Sequence, residues 1–415
     1  METKKASIIS IGNELLNGQT VDTNSTWLSG KLLEVGIPTV SAYTIGDDVG
    51  AIKDCIEKAV IQADIILITG GLGPTDDDIT RDGLAEFLST ELVFKPELLE
   101  KIKSFFAARK YPMPEKNKVQ AYIPQNTITI ENNLGTAPGI LYKDGEKIIA
   151  AMPGVPSEMK PMMENVVLEE IEKISNGSYV VIKKLKCFGC GESTIAEKLG
   201  SLMARDRNPL INCTVDIGII TLHIVATGES KIEAEKAADK DFCELKDMLG
   251  DLVYGTGNQT LGEVVGQRLL KNKQTLALAE SCTAGLISKW ITDLPGASEF
   301  YHFGWTTYSG LAKTLQLDVP SETIEQFGQV SGEVAIAMAV GARKRANSDF
   351  AISVTGIAGP TGGTNQKPVG LVYIAIDSPK GTNVHKFNFT RPDRHFIRTR
   401  TAQTALNLLR LSLGV

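Results

Sequence analysis

The chain has 415 residues, 42% of them hydrophobic and 22% charged, and its 43 Lys+Arg against 49 Asp+Glu give a formal net charge of −6. That length holds more core than one domain usually needs, so two or three domains are expected; the acidic balance gives no general electrostatic reason to bind nucleic acid. The 6 cysteines are scattered, which fits a reducing cytoplasm better than a secreted disulfide scaffold, and no apolar run approaches the roughly 18 to 20 residues of a membrane-spanning helix.

The opening METKKASIISIG sets two lysines before a short apolar run that leads into glycine and polar residues, which reads as a strand and not a signal peptide. ASIISIG, a helix from Asp22 to Glu34 ended by Gly36, TVSAYTIG, a helix after Asp48 and ADIILITGG follow one another in a βαβαβ pattern with a parallel sheet. Ligands in such sheets sit beyond the carboxyl ends of the strands, here the turns that begin at Gly12 and Gly70. From about Ile171 to Tyr254 a smaller mixed region holds TLHIVAT as a strand and KIEAEKAADKDFCELKDML as an amphipathic helix,. YGTGNQTLGE then marks a boundary, with Thr260 and Glu263 forming a capping box,. Beyond it TLALAE, DFAISVTG and GLVYIAID read as strands and GEVAIAMAVGARKRA and HFIRTRTAQTALNLLRL as helices of a second α/β unit. The expected domains are 1–170, 171–254 and 255–415: α/β, small α+β, and α/β again.

Five stretches carry candidate chemistry. In GGLGPTDDDITRDG, a glycine turn precedes Asp76, Asp77 and Asp78 and a helix containing Arg81 and Asp82; glycines can cradle a diphosphate while carboxylates hold a divalent cation against it. The plainer alternative is an acidic helix N-terminus, favoured by the helix dipole. Downstream, AESCTAGLISKW puts Ser281 where a strand turns toward a helix, a position that suits a nucleophile beside unpaired backbone N–H groups, or else a helix cap supplied by Ser281 or Thr283. FGWTTYSGLAKTL supplies Tyr308 and Lys313: a desolvated lysine can act as base toward a serine hydroxyl and a tyrosine can relay the proton, the alternative being a surface lysine beside a half-buried tyrosine.

DFAISVTGIAGPTGG brings Thr355, Gly356, Gly359 and Gly362 into a glycine-rich loop that suits a phosphate or carboxylate but lacks GxGxxG or P-loop spacing. TRPDRHFIRTRT adds Arg391, Arg394, Arg398 and Arg400, of which one or two are candidates to clamp a phosphate. Cys187 and Cys190 form CxxC, with Cys213 and His223 as further conceivable zinc ligands, but no second paired motif appears. Cys282 is a rival nucleophile to Ser281. The histidines at 223, 302, 385 and 395 lie in no recognisable catalytic arrangement,.

ESCTAG, YSxxAK, VTGIAGPTGG, KPVG and DRxxIR in this order make the sequence resemble the C-terminal domain of the CinA family, a nicotinamide-nucleotide amidase that hydrolyses nicotinamide mononucleotide to nicotinate mononucleotide and ammonia. The resemblance implies an α/β/α domain with Ser281 as nucleophile, Tyr308 and Lys313 activating it, and Thr283, Thr355, Gly356 and Gly359 with Arg394 or Arg398 in the substrate site, with no metal. GNELLNGQTVDTN, GGLGPTDDDIT, NNLGTAPGI and PGVPSEM are similar to that family's N-terminal domain, a three-layer α/β/α molybdopterin-binding-like fold. There the resemblance implies metal-dependent cleavage of ADP-ribose to AMP and ribose 5-phosphate. Asp77 and Asp78 would hold a divalent cation, and Glu14, Gly71, Gly73, Thr75, Thr80, Asn133, Gly135 and Glu158 would lie in the site. A homodimer acting in pyridine nucleotide salvage is implied. The alternatives are that the N-terminal domain only binds a pterin or nucleotide, or that the chain is an adaptor in DNA uptake or repair. Departures from the family pattern are Asn13, Ala284, Gly310–Leu311 and Pro392.

Overall fold

A computed structural model describes residues 4–175, 179–391 and 393–414; the departure at Pro392 lies outside them. Six strands form the first sheet. β1 (Ala6–Ile11), β2 (Thr39–Ile45) and β3 (Ile65–Thr69) precede a separate ribbon of β4 (Leu92–Phe94) and β5 (Tyr122–Pro124), and β6 (Ile128–Ile130), β7 (Gly139–Asp144) and β8 (Lys147–Met152) complete the sheet in the order β2-β1-β3-β8-β7-β6. β2, β1, β3 and β8 run parallel, while β7 and β6 are antiparallel additions. β1 and β3 are buried at every residue, as strands covered on both faces must be, whereas β2 alternates at the edge,.

One face packs Leu28 and Leu32 of the Asn24–Glu34 helix with Met159, Met162 and Ile171. The other packs Ile52, Ile56, Leu84 and Leu98 from three further helices. The result is the three-layer α/β/α arrangement. The helix expected from Asp22 starts at Asn24, because the Asp22 carboxylate lies outside it and accepts from the Ser25 amide at 2.9 Å,.

β9 (Tyr179–Phe188), β10 (Leu210–Asp216), β11 (Ile219–Gly228) and β12 (Val253–Thr256) form a small sheet in the order β10-β11-β9-β12, accompanied by the Lys231–Leu249 helix. The chain divides into two compact units, one holding the chain up to Val181 with Ala226–Lys236, the other Ile182–Val225 with Ala237–Val415.

In the second unit the capping box closes as a reciprocal pair, with the Glu263 amide donating to Thr260 Oγ1 (3.2 Å) and the Thr260 amide to Glu263 Oε2 (2.7 Å),. β13 (Leu276–Glu280), β14 (Tyr301–Thr306), β15 (Phe350–Gly356), β16 (Leu371–Ser378) and β17 (Gly381–Asn388) follow in the order β14-β13-β15-β16-β17. β14, β13 and β15 are parallel, and β16 and β17 antiparallel. The last helix, Arg394–Ser412, contributes Ile397, Ala402, Leu406 and Leu409 to the core on one face, and the Gly332–Ala346 helix covers the other with Val334, Met338 and Ala342. Three parallel strands thus end side by side where the serine and threonine motifs begin.

Candidate active site

β13 is apolar and buried until its last residue, Glu280. The ladder continues one step further, where the Ser281 amide donates to the Val354 carbonyl at 3.0 Å. The chain then turns, with Ala284 at φ +50° and Gly285 at φ +88°, before the Leu286–Thr292 helix. Ala284 occupies a left-handed conformation at the position where the family pattern has glycine, the residue that adopts it without a Cβ penalty.

Neither Ser281 nor Thr283 caps that helix. The cap is Glu280, whose buried carboxylate accepts from the amides of Ile287 (3.1 Å) and Ser288 (2.8 Å) and from the Ser288 hydroxyl (2.6 Å). Sequence reasoning missed Glu280; its signal was a carboxylate ending an otherwise apolar strand. The hydroxyls of Thr283 and Thr307 are buried and have no partner among the described residues.

Lys313 reaches the serine from the Gly310–Leu317 helix, whose first turn is fixed by Ser309 Oγ accepting from the Ala312 amide at 3.1 Å. Its Nζ donates to Ser281 Oγ at 3.1 Å and to the Thr307 carbonyl at 2.8 Å. The side chain is 1% exposed, so it is not a surface lysine, and burial lowers its pKa to about 8,. A lysine in that range becomes a neutral amine as pH rises through about 8, far below the usual lysine range, and is then able to accept the serine proton,. Burial pushes the neighbouring Cys282 thiol the other way, up to about 12, so it carries no thiolate with which to rival Ser281.

Tyr308 is not hydrogen-bonded to Ser281 or Lys313. It is exposed, and its hydroxyl accepts from Arg394 Nη2 at 3.0 Å, while Arg394 Nη1 donates to the Gly359 carbonyl at 2.9 Å. Arg398 turns inward, donating from Nε to the Cys282 carbonyl (3.2 Å) and from Nη2 to the Thr283 carbonyl (2.6 Å). Thr355 follows Val354 at the end of β15 and donates to the Gln329 carbonyl at 2.8 Å. At Gly356 a Cβ would press on Val372 and the Leu371 carbonyl, and Gly359 sits at φ +72°. Of the other two arginines, Arg400 packs 4.2 Å from the Phe188 ring and Arg391 5.1 Å from that of Phe396.

The N-terminal unit holds a cleft of about 640 Å³ at the carboxyl ends of β1 and β3, lined in part by Ser10, Asp22, Asn24, Asp47, Gln120 and Gly154. Of the residues expected there, Glu14, Gly71, Gly73, Asp77, Asp78 and Glu158 also line it. The amides of Gly71, Leu72 and Gly73 donate to no acceptor among the described residues. Arg81, 4% exposed, braces this loop from below by donating to the carbonyls of Leu72 (2.7 Å), Gly73 (3.2 Å) and Asp78 (3.0 Å).

Thr80 is buried and donates to the Gly70 carbonyl at 2.8 Å, so it shapes the loop from inside. Thr75 bonds Asp78 Oδ2 through its amide at 2.8 Å and through its hydroxyl. Asn133 is exposed; Asn132, not Asn133, holds Glu158, donating to Oε2 at 2.6 Å while its Oδ1 accepts from the Gly135 amide at 2.8 Å. A Cβ at Gly135 would collide with the Glu158 carboxylate.

Among the described residues no group of three or more His, Cys, Asp or Glu side chains converges to hold a metal. That covers the aspartate run and the cysteines alike: Cys187 is a buried thiol with its pKa pushed up to about 12, and His223 Nε2 lies 3.0 Å from Thr214 Oγ1. No helix among the described residues is long and apolar enough to cross a membrane.

These elements define an α/β protein with a serine–lysine pair at the carboxyl end of the interior strand β13 and a glycine-lined cleft at the carboxyl ends of β1 and β3. Residues 7–173 match the family described as "Probable molybdopterin binding domain", 182–255 the "Damage-inducible protein CinA KH domain" and 258–413 the "CinA C-terminal domain". A "CinA-like protein" of Dictyoglomus thermophilum is 41% identical over 409 residues, covering 99% of each chain, and one of Kosmotoga olearia is 40% identical over 409 residues with the same coverage. Among solved structures, the competence/damage inducible protein CihA from Agrobacterium tumefaciens is 38% identical, covering 38% of this chain and 98% of its own, with a TM-score of 0.36. The chain belongs to the CinA family.

Proposed function

We propose that the C-terminal domain is a serine–lysine amidase that hydrolyses nicotinamide mononucleotide to nicotinate mononucleotide and ammonia. The observation that carries this reading is the 3.1 Å contact between Lys313 Nζ and Ser281 Oγ, made by a buried lysine whose pKa is lowered to about 8. The neutral amine takes the Oγ proton as Oγ attacks the carboxamide carbon. The amides of Cys282, Thr283 and Gly285, which donate to no backbone carbonyl among the described residues, are available to the oxyanion,. The Lys313 ammonium then returns the proton to the leaving nitrogen, ammonia departs, and water activated by the same amine cleaves the acyl-serine. Arg394 and Tyr308, on the exposed rim beside the Gly359 loop, receive the phosphate,.

The test is ammonia release from nicotinamide mononucleotide with excess chelator present. Wild type should turn over and Ser281→Ala should not; an inactive wild type, or an active Ser281→Ala, rejects the assignment.

The N-terminal cleft is read as a second site, for a diphosphate compound such as ADP-ribose. Undonated loop amides suit phosphate oxygens. A divalent cation there would be held by Asp77 and Asp78 together with substrate oxygens and water, as Mg²⁺ commonly is, and not by an all-protein cage; when bound it would neutralise the phosphates. Chelator-sensitive formation of AMP from ADP-ribose supports this reading, and binding without turnover supports a non-catalytic nucleotide module instead.

A further inference from the structure

The lysine of the KPVG motif takes no part in the serine–lysine chemistry, yet its side chain is committed to two specific acceptors. Lys367 Nζ donates to the Phe327 carbonyl at 2.7 Å and to the Val330 carbonyl at 2.8 Å. The same short segment is met by Thr355 Oγ1, which donates to the Gln329 carbonyl at 2.8 Å, and by Ser331 Oγ, which donates to the Gly328 carbonyl at 3.0 Å. Four successive carbonyls are thus held by side chains, two of them by Lys367. The ammonium lies so close over Gly328, at φ +78°, that a Cβ there would stand 2.9 Å from Nζ.

Lys367 belongs to the glycine-rich loop, 357–370, that leaves the sheet after Gly356 and returns at Leu371. Its stem is closed by the Ile357 amide donating to the Leu371 carbonyl (2.9 Å) and the Gly370 amide to the Ile357 carbonyl (2.8 Å). Beyond the stem, hydrogen bonds among the described residues join the loop to the rest of the domain at Gly359, whose carbonyl accepts from Arg394, and at Lys367. Lys367 is itself locked into the loop: its amide donates to Thr364 Oγ1 (3.0 Å) and its carbonyl accepts from the Thr364 amide (2.8 Å). A plain helix cap would explain part of this, since Phe327 ends the Ser321–Phe327 helix and a cation is favoured at its last carbonyls,. It does not explain Val330, which lies beyond the helix in the segment that Thr355 also grips.

We propose that Lys367 is a positioning residue for the amidase: it anchors the glycine loop to the Phe327–Val330 segment and so keeps the Gly359 carbonyl in place to hold Arg394 at the substrate's phosphate. The proposal rests on the reading of Arg394 as the phosphate contact and deepens it. A loop that loses this anchor lets Arg394 wander, which weakens phosphate binding and leaves Ser281 and Lys313 in place.

The experiment is steady-state kinetics of the full chain on nicotinamide mononucleotide and on nicotinamide riboside, the same compound without its phosphate. Lys367→Met should raise KM for the mononucleotide at least about fivefold, with kcat within about threefold and kcat/KM for the riboside within about twofold. Lys367→Arg, which still donates to two carbonyls, should return KM to within about twofold of wild type. In an Arg394→Ala background Lys367→Met should add less than about twofold, because both changes remove the same contact. Lys367→Gln, which keeps one donor, is made beside Lys367→Met and should show the same substrate-dependent pattern, so that a methionine variant too unstable to assay still leaves a test. Equal losses on both substrates, an unchanged KM, or a full effect on top of Arg394→Ala would each overturn the proposal. If Arg394→Ala leaves the preference of wild type for the mononucleotide intact, the phosphate reading of Arg394 fails first and the proposal falls with it.

Discussion

Arg398 Nη2 donates to the Thr283 carbonyl at 2.6 Å, which ties the last helix to the turn that presents Ser281. Arg394, one helical turn earlier, reaches outward to Tyr308 and Gly359. The two arginines therefore divide the work between turn geometry and substrate contact. Arg394→Ala should raise KM for nicotinamide mononucleotide about tenfold or more with kcat changed less than about threefold, as a lost phosphate contact does. Arg398→Ala should lower kcat by at least about tenfold, because it frees the turn that carries the nucleophile. Steady-state kinetics on both variants checks this; the reverse pattern would assign the phosphate to Arg398.

Glu280 acts on the reaction through the backbone. Its carboxylate collects Ile287 N, Ser288 N and Ser288 Oγ, so the turn from Ser281 to Gly285 is pinned at its far end by the residue that precedes it. Glu280→Gln keeps the shape but offers one acceptor oxygen in place of two. The expected outcome is a fall in kcat of about tenfold with KM little changed and the pH profile still set by Lys313, with partial recovery in no other position's variants. A shift of the pH profile would instead mean that the Glu280 charge acts on Lys313 directly.

Lys313 should cost stability. With its folded pKa near 8 against an ordinary 10.5, it must carry a buried charge below pH 8, at a cost of up to about 3 kcal/mol. Between pH 8 and 10.5 the unfolded chain binds the extra proton, so this penalty fades as pH rises. Lys313→Met should therefore raise the unfolding free energy of its domain by about 1 to 3 kcal/mol at pH 7, and the gain should shrink toward pH 10. Denaturant titrations at pH 7 and pH 9.5 check both sign and slope.

The strands and the paired motifs were legible because they are local. ADIILITGG and DFAISVTG are apolar runs ended by glycine, and Thr260 with Glu263 is a reciprocal cap over one turn. Ser281 and Lys313 were legible only as members of an ordered motif set; nothing in the spacing says that 32 residues of separation close to 3.1 Å. β14 was not legible, because YHFGWT is an exposed edge strand with a glycine inside it. The helix cap from Glu280 was hidden for another reason: a side chain seven residues before its amide partner Ile287 falls outside the usual capping window. Asn132 and Asn133 are indistinguishable by type, and only the fold decides which one meets Glu158.

The central claim is that Lys313 is the base for Ser281, and the pH dependence of kcat/KM for nicotinamide mononucleotide tests it most directly. The activity should rise through an apparent pKa of about 8, as the free amine forms,, and Lys313→Gln should lose at least about a thousandfold at every pH. A wild-type profile flat from pH 6 to 10, or a Lys313→Gln enzyme within tenfold of wild type, would contradict the account.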